Sequence, residues 1–219
     1  SLRILIRKKT ITERAGTYRL RGKKYVNWKQ RQGSANKKYK KFSKQLRKLE
    51  KIPWIHLLAI TGSIGAYNPK KKDDVDIFII TEKKRVWLTR FFVVLYLKIW
   101  DLYRTDRHPV GKTCPNLLIS ENCMEWPKEK RNLYVAAEIV RMQPVINRKN
   151  TYEIFLSQNK WIKKHFPNFL MEEVNTKKRF KVSMLDLVEI FFRFVQRVYM
   201  KKNMTTVEAN KDFIHFNRC

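Results

Sequence analysis

"TGSIGAYNPKKKDDVDIFII", residues 61–80, decides how the rest of the chain is read. It opens on Gly62-Ser63 and sets Asp74 and Asp76 at the head of an apolar run. "VDIFII" has the β-branched and aromatic content of a buried strand, and "WIHLLAI", residues 54–60, reads as another. Side chains alternate along a strand, so acids two residues apart present their oxygens on one face, with Val75 on the other. Uncompensated, the pair repels and one carboxyl takes up a proton. A hard divalent cation resolves that conflict: Mg²⁺ (or Mn²⁺) prefers carboxylate oxygens together with the phosphates of a nucleotide. Paired metals of this kind clamp the attacking and leaving oxygens of phosphoryl or nucleotidyl transfer. Gly62 lets the backbone approach a phosphate and Ser63 adds a hydroxyl donor. The plainer alternative is an Asx turn at Asp73-Asp74 with Asp76 facing solvent.

Working outward, the strand–helix–strand order continues. Residues 63–67 fit a short helix, and "RVWLTRFFVVLYLKIWDLY" (85–103) is a long helix, apolar on most faces. "CPNLLIS" (114–120) is a third strand. "KEKRNLYVAAEIVRM", "NTYEIFLSQNKWIKKHF" and "VSMLDLVEIFFRFVQRVYM" read as helices, the last with a stripe at Met184, Leu187, Phe191, Phe194 and Val198. The fold class is therefore α/β (α+β): a mixed sheet with flanking helices and a helical tail. Three regions are expected: a basic segment over 1–51, a core over 52–125 and a helical region over 126–219.

Upstream of the core, "GTYRLRGKKYVNW" (16–28) predicts a β-hairpin turning at Arg21-Gly22. "SANKKYKKFSKQLRKLEKI" (34–52) predicts a helix N-capped by Ser34, with Tyr39, Phe42, Leu46 and Leu49 on its packed face and Lys and Arg on the other.

The Gly-Ser, ten-residue gap and Asp-x-Asp pattern resembles the signature of the polymerase-β-type nucleotidyltransferase superfamily. "DDVDIFIITEKKRVWLTRFF" and segments onward are similar to uncharacterised bacterial proteins with a nucleotidyltransferase domain, over most of residues 50–219. The resemblance implies the nucleotidyltransferase fold, Gly62 and Ser63 holding the triphosphate, and Asp74 and Asp76 as catalytic residues binding Mg²⁺. Members of that group tend to carry a winged-helix-like segment before the domain, and the hairpin is a candidate wing. The superfamily takes a third carboxylate from a later strand. Here "CPNLLIS" offers Asn116, an amide that orients a hydroxyl but accepts no proton. Glu121, just beyond, is the candidate substitute.

Charge points to the partner. The 219 residues hold 49 Lys and Arg against 19 Asp and Glu, a net +30. Residues 1–51 carry nineteen of those cations against Glu13 and Glu50 alone. Such a field draws polyanions, and RNA is the favoured acceptor beside an NTP substrate. A Lys-rich composition without function is the rival explanation. Lys70, Lys71 and Lys72 are candidate phosphate or nucleic-acid contacts, against a solvated charge run. Arg90, among apolar neighbours, needs an anion or a salt bridge. Trp28 and Tyr25 are read as hairpin packing ahead of base stacking, the other tryptophans as mostly core, and His215 as a packed tail residue. Cys114, Cys123 and Cys219 form no CxxC pair and read as free thiols in a reducing compartment. Neither a signal peptide nor a membrane span is read, so the expected setting is cytoplasmic, with no membrane partner.

Two functions stay open at this level. One is a Mg²⁺-dependent nucleotidyltransferase moving NMP from an NTP to an acceptor hydroxyl, whether on RNA, on a protein partner or on a small molecule. The other is a nucleic-acid-binding protein on the same fold with impaired catalysis.

Overall fold

The computed structural model describes residues 2–14, 16–23, 27–70, 72–105, 107–172, 185–203 and 207–216. The chain opens with a short helix α1 (Leu2–Arg7) and an antiparallel ribbon of β1 (Ile11–Arg14) and β2 (Thr17–Leu20), paired Ile11 to Leu20. The ribbon thus reverses between Arg14 and Thr17, earlier than the hairpin expected around Arg21-Gly22. Tyr25 lies outside the described residues. Helix α2 (Trp28–Leu46) starts six residues before Ser34, because the side chain of Asn27 caps it by accepting from the Gln30 amide at 3.1 Å. Trp28 therefore opens a helix, exposed, instead of packing in a hairpin.

A mixed six-stranded sheet follows, in the order β6-β3-β4-β5-β8-β7. Its strands are β3 (Ile55–Ile60), β4 (Val75–Thr81), β5 (Thr113–Ser120), β6 (Gln143–Asn147), β7 (Val207–Ala209) and β8 (Phe213–Phe216). Between them lie α3 (Gly62–Gly65), α4 (Val86–Ile99), α5 (Leu133–Arg141), α6 (Thr151–Gln158) and α7 (Leu185–Asn203). β4 and β5 are parallel; β3 runs antiparallel to β4, and β8 to β5. The α+β class read from the sequence is what the chain adopts. The region from 126 on, read as helical, adds β6, β7 and β8 to the sheet. β6 carries Pro144 and pairs only with β3, an edge position that tolerates a residue without an N–H.

Two apolar layers hold the sheet. Ile60, Val75, Ile77, Ile79 and Leu118 face Phe42, Leu46 and Leu49 below α2, and Trp87, Val93 and Leu97 of α4. Leu57, Ala59, Phe78, Ile80 and Ile119 face Ala136 and Ile139 of α5 and Phe155 and Leu156 of α6. Strand β4 alternates between the two layers, which puts Asp76 on the α5 side.

The stripe on α7 points outward: Leu187, Phe191, Phe194 and Val198 are exposed, and Met184 lies outside the described residues. The inward face is used for polar work. Glu189 accepts from the Trp87 and Leu88 amides at 2.8 Å each, capping α4. Gln196 accepts from Arg90 at 2.6 Å and donates to the Trp87 carbonyl at 2.8 Å. Arg90 is buried there, on the sheet face opposite Asp76, and burial pushes its pKa down. Of the tryptophans only Trp87 is fully buried; Trp100 is exposed. Cys114 is disulfide-bonded, against the expectation of free thiols, and Cys123 is free and exposed. His215, paired with Leu117 in β8, is a packed residue whose pKa burial holds down. Among the described residues no helix is long and apolar enough to cross a membrane.

Candidate active site

Strand β3 ends at Ile60 beside Ile77, and the Thr61 amide donates to the Asp76 carbonyl at 2.9 Å. The chain then turns sharply into α3 at Gly62, whose φ is +62°. Only glycine fits here on two counts. L-residues pay strain in that conformation, and a Cβ would sit 2.2 Å from Asp76 Oδ2. Gly65 is constrained from the other side: a Cβ there would lie 2.8 Å from the Arg141 carbonyl at the end of α5. So the single turn of α3 is wedged between the Asp76 carboxylate and α5, and the Gly-Ser and Asp-x-Asp halves of the motif meet in space.

Asp74 precedes β4, and its Oδ2 lies 2.8 Å from Arg104 Nε, a residue between α4 and β5. Asp73 closes a local turn, its Oδ2 accepting from the Lys70 amide at 2.9 Å. The plainer reading of the sequence is therefore right for Asp73 and wrong for Asp76, which is half-buried. Burial first, then the charges of Asp74 and Glu138, push Asp76 up to about 7, with Arg104 pulling the other way. Ser63 is half-buried beside Gly62, its carbonyl accepting from the Asn68 amide at 2.9 Å. Lys70 and Lys72 are exposed; Lys71 lies outside the described residues. The Lys70 carbonyl accepts from Lys38 of α2 at 2.7 Å, and Asn68 from Arg31 of the same helix.

Glu138 is the residue that sequence reasoning missed. Its Oε2 accepts from the Gly62 amide at 3.1 Å, and it raises the pKa of Tyr134 one turn earlier on α5. The signal was present in "NLYVAAEIVRM": Glu138 is the one acid in that stretch, between Ala136 and Ile139, both of which face the core. A charge at such a position asks for a partner across the interface. Arg104 was equally silent, because nothing in its loop marks it as the partner of Asp74.

The two candidates for a third carboxylate on the strand separate cleanly. Asp76 pairs with Cys114 and Phe78 with Leu117, so β5 has one residue more than β4 over this step. The bulge falls at Pro115-Asn116, where proline removes a ladder donor from a central strand. Asn116 is thereby brought opposite the start of β4, with its buried Oδ1 lacking a hydrogen-bond partner among the described residues. Glu121 is corrected: it lies past the far end of β5, beyond the Thr81–Ser120 pair and about 20 Å along the strand from Cys114. There its Oε2 is 3.2 Å from His56 Nδ1.

The resemblance implies a divalent cation. Asp74 pairs with Arg104, and the pKa of Asp76 is raised by burial first and then by the charges of Asp74 and Glu138. Among the described residues no group of three or more His, Cys, Asp or Glu is disposed to hold a metal ion. Asp74 and Asp76 supply two carboxylates, of which Asp74 is already paired with Arg104; Mg²⁺ commonly takes one or two carboxylates together with phosphate oxygens and water. Compared with family models and with curated proteins, the chain matches none.

Proposed function

We propose that the chain is a nucleotidyltransferase that moves NMP from an NTP onto an acceptor hydroxyl, with RNA as the favoured acceptor and the cytoplasm as its setting. The observation that carries this reading is the contact of Gly62 with Asp76: a glycine at positive φ with no room for a Cβ unless Asp76 shifts, set against a carboxylate whose pKa burial and neighbouring acids raise. That juxtaposition brings a tight glycine turn and a carboxylate of raised pKa into one place.

In this reading Asp74 and Asp76 hold Mg²⁺ or Mn²⁺, which when bound supplies positive charge to the transferring phosphoryl group. Gly62 and Ser63 face the triphosphate. Glu138 now accepts from the Gly62 amide, so a phosphate oxygen seeking that donor must displace the Glu138 carboxylate first. Arg104 orients Asp74 through its 2.8 Å ion pair. Lys70 and Lys72 lie on the loop beside the site, where a polyanionic substrate would cross. The acceptor oxygen bonds to the α-phosphorus, the bond to pyrophosphate breaks, and the hydroxyl proton passes to the carboxylate cluster. Asn116 cannot take that proton.

Asn116 also supports the second reading, a nucleic-acid-binding protein with impaired catalysis. One experiment separates the two. Each α-labelled NTP is incubated with Mg²⁺ or Mn²⁺ and total RNA, using the wild type and the Asp74→Ala/Asp76→Ala variant. Label on RNA that falls by on the order of 10²–10³-fold in the variant supports transfer. No label from any nucleotide, with RNA binding intact in the variant, gives the second reading.

A further inference from the structure

Helix α2 and the 3₁₀ turn that follows it over Arg47–Lys51 have one face in the core and another that is exposed. Lys37, Lys40, Lys41, Lys44, Arg47 and Lys48 are all exposed, on the side away from buried Ala35, Phe42 and Leu46. Lys37 and Lys48 are eleven positions apart, about 16 Å of helix axis. Among the described residues none of the six pairs with a carboxylate; Lys48 instead lies over the Trp100 ring, 4.5 Å from its centroid. Like charges one turn apart weaken a helix, and α2 accepts that conflict without a single acid inside it.

The flank of the same helix is fastened to the candidate active site. Lys38 Nζ donates to the Lys70 carbonyl at 2.7 Å and to the Asp73 carbonyl at 3.5 Å, and Arg31 donates to Asn68 just past α3. A polyanion lying on the outward face therefore runs beside the loop that carries Asp74. The face suits nucleic acid and not a bilayer. A helix that seats in a membrane interface inserts an apolar stripe, whereas the apolar stripe of α2 is spent in the core, and Gly33 and Asn36 continue the outward face.

We propose that the outward face of α2 is the binding track for single-stranded RNA, delivering the acceptor to the Asp74/Asp76 site; this rests on the nucleotidyltransferase reading for its purpose, but not for its test. Binding of a short single-stranded RNA, without nucleotide or metal, is followed by fluorescence anisotropy over a salt series. The proteins are the wild type, Lys37→Gln/Lys40→Gln/Lys41→Gln/Lys44→Gln, the same four positions changed to Arg, and Asp74→Ala/Asp76→Ala.

Each phosphate contact adds ~0.7 to the slope of log affinity against log salt for a single strand, so the Gln variant should lose roughly 2–3 from that slope. The Arg variant should keep the wild-type slope, which separates lost charge from lost fold. The Asp variant, which lacks two acids of the site, should bind RNA no more weakly than the wild type. An unchanged slope in the Gln variant overturns the track. So does a Gln variant that keeps RNA but no longer floats with phosphatidylglycerol vesicles that the wild type binds, since the face would then serve a membrane. If the track passes and no nucleotide is ever transferred, the RNA surface stands and the catalytic reading falls; a failed track beside Asp-dependent labelling gives the converse.

Discussion

The sheet carries an acid at each end, and the two are treated in opposite ways. At the far end Glu121 meets His56, whose Nδ1 lies 3.2 Å from its carboxylate, while Lys149 approaches the other ring nitrogen at 3.1 Å. A lysine can only donate, so Nε2 accepts and the proton sits on Nδ1, facing Glu121. Burial works to raise the Glu121 pKa, but the His56 hydrogen bond and the Lys83 backbone win and hold it low. At the near end Asp76 meets Asp74 and Glu138, and burial and repulsion together carry it to about 7. One cluster is satisfied and the other is in conflict. Under the proposed function the conflict beside Gly62 is where the ligand binds, whereas the satisfied triad is architecture.

The contrast breaks most violently at Gly62. Gly62→Ala combines a left-handed backbone with a Cβ placed 2.2 Å from Asp76 Oδ2. Strain and overpacking together should cost roughly 2–6 kcal/mol, read as a fall in Tm of several degrees, and labelling of RNA should vanish. A Gly62→Ala protein with wild-type Tm and activity would mean that the two halves of the motif do not touch.

The titration of Asp76 sharpens it. With its folded pKa raised from 3.8 to about 7, Asp76 binds a proton more tightly folded than unfolded. Stability of the EDTA-treated protein is therefore fully present below the unfolded value and is lost as pH rises through the window from about 4 to 7, by up to about 4 kcal/mol. Asp76→Asn should remove that slope, and Glu138→Gln should shift it to lower pH by deleting one repelling charge. Mg²⁺ should restore stability on the alkaline side. Chemical denaturation across pH checks all four arms, and a flat wild-type profile would remove the electrostatic argument.

The smallest effect is expected at the satisfied end. Glu121→Gln weakens one charge-assisted hydrogen bond to buried His56, worth about 1–2 kcal/mol in stability. Its loss should matter above the ordinary carboxylate range and fade as pH falls and the wild-type acid is itself protonated. RNA labelling should be untouched. A catalytic defect in Glu121→Gln would bring this residue back as a functional acid.

Much of the strand core was legible because its signals are local. β3, β4 and β5 are apolar runs bounded by turn residues, and the inward face of α2 follows helical spacing. The site was legible to the extent that its motif is contiguous: Gly62, Ser63, Asp74 and Asp76 are found by reading along the chain. Elsewhere local signals competed. Ser34 resembles a cap, but Asn27 captures the helix earlier, and the cost of Gly33 inside it is offset by packing at Phe42 and Leu46. On α7 the greasier stripe was not the inward one, because the α4 amides and Arg90 required Glu189 and Gln196 to face them.

The sequence alone determined the class of fold, the basic helix and the pairing of the Gly62-Ser63 turn with two carboxylates, since each depends on residues near one another in the chain. Only the tertiary structure decided which charges meet. Glu138 reaches Gly62 across 76 positions, Arg104 reaches Asp74 from beyond α4, and Glu121 is carried to the wrong end of the sheet. Electrostatic partnership falls off with distance in space and takes no account of separation along the chain, so a spacing rule cannot find it.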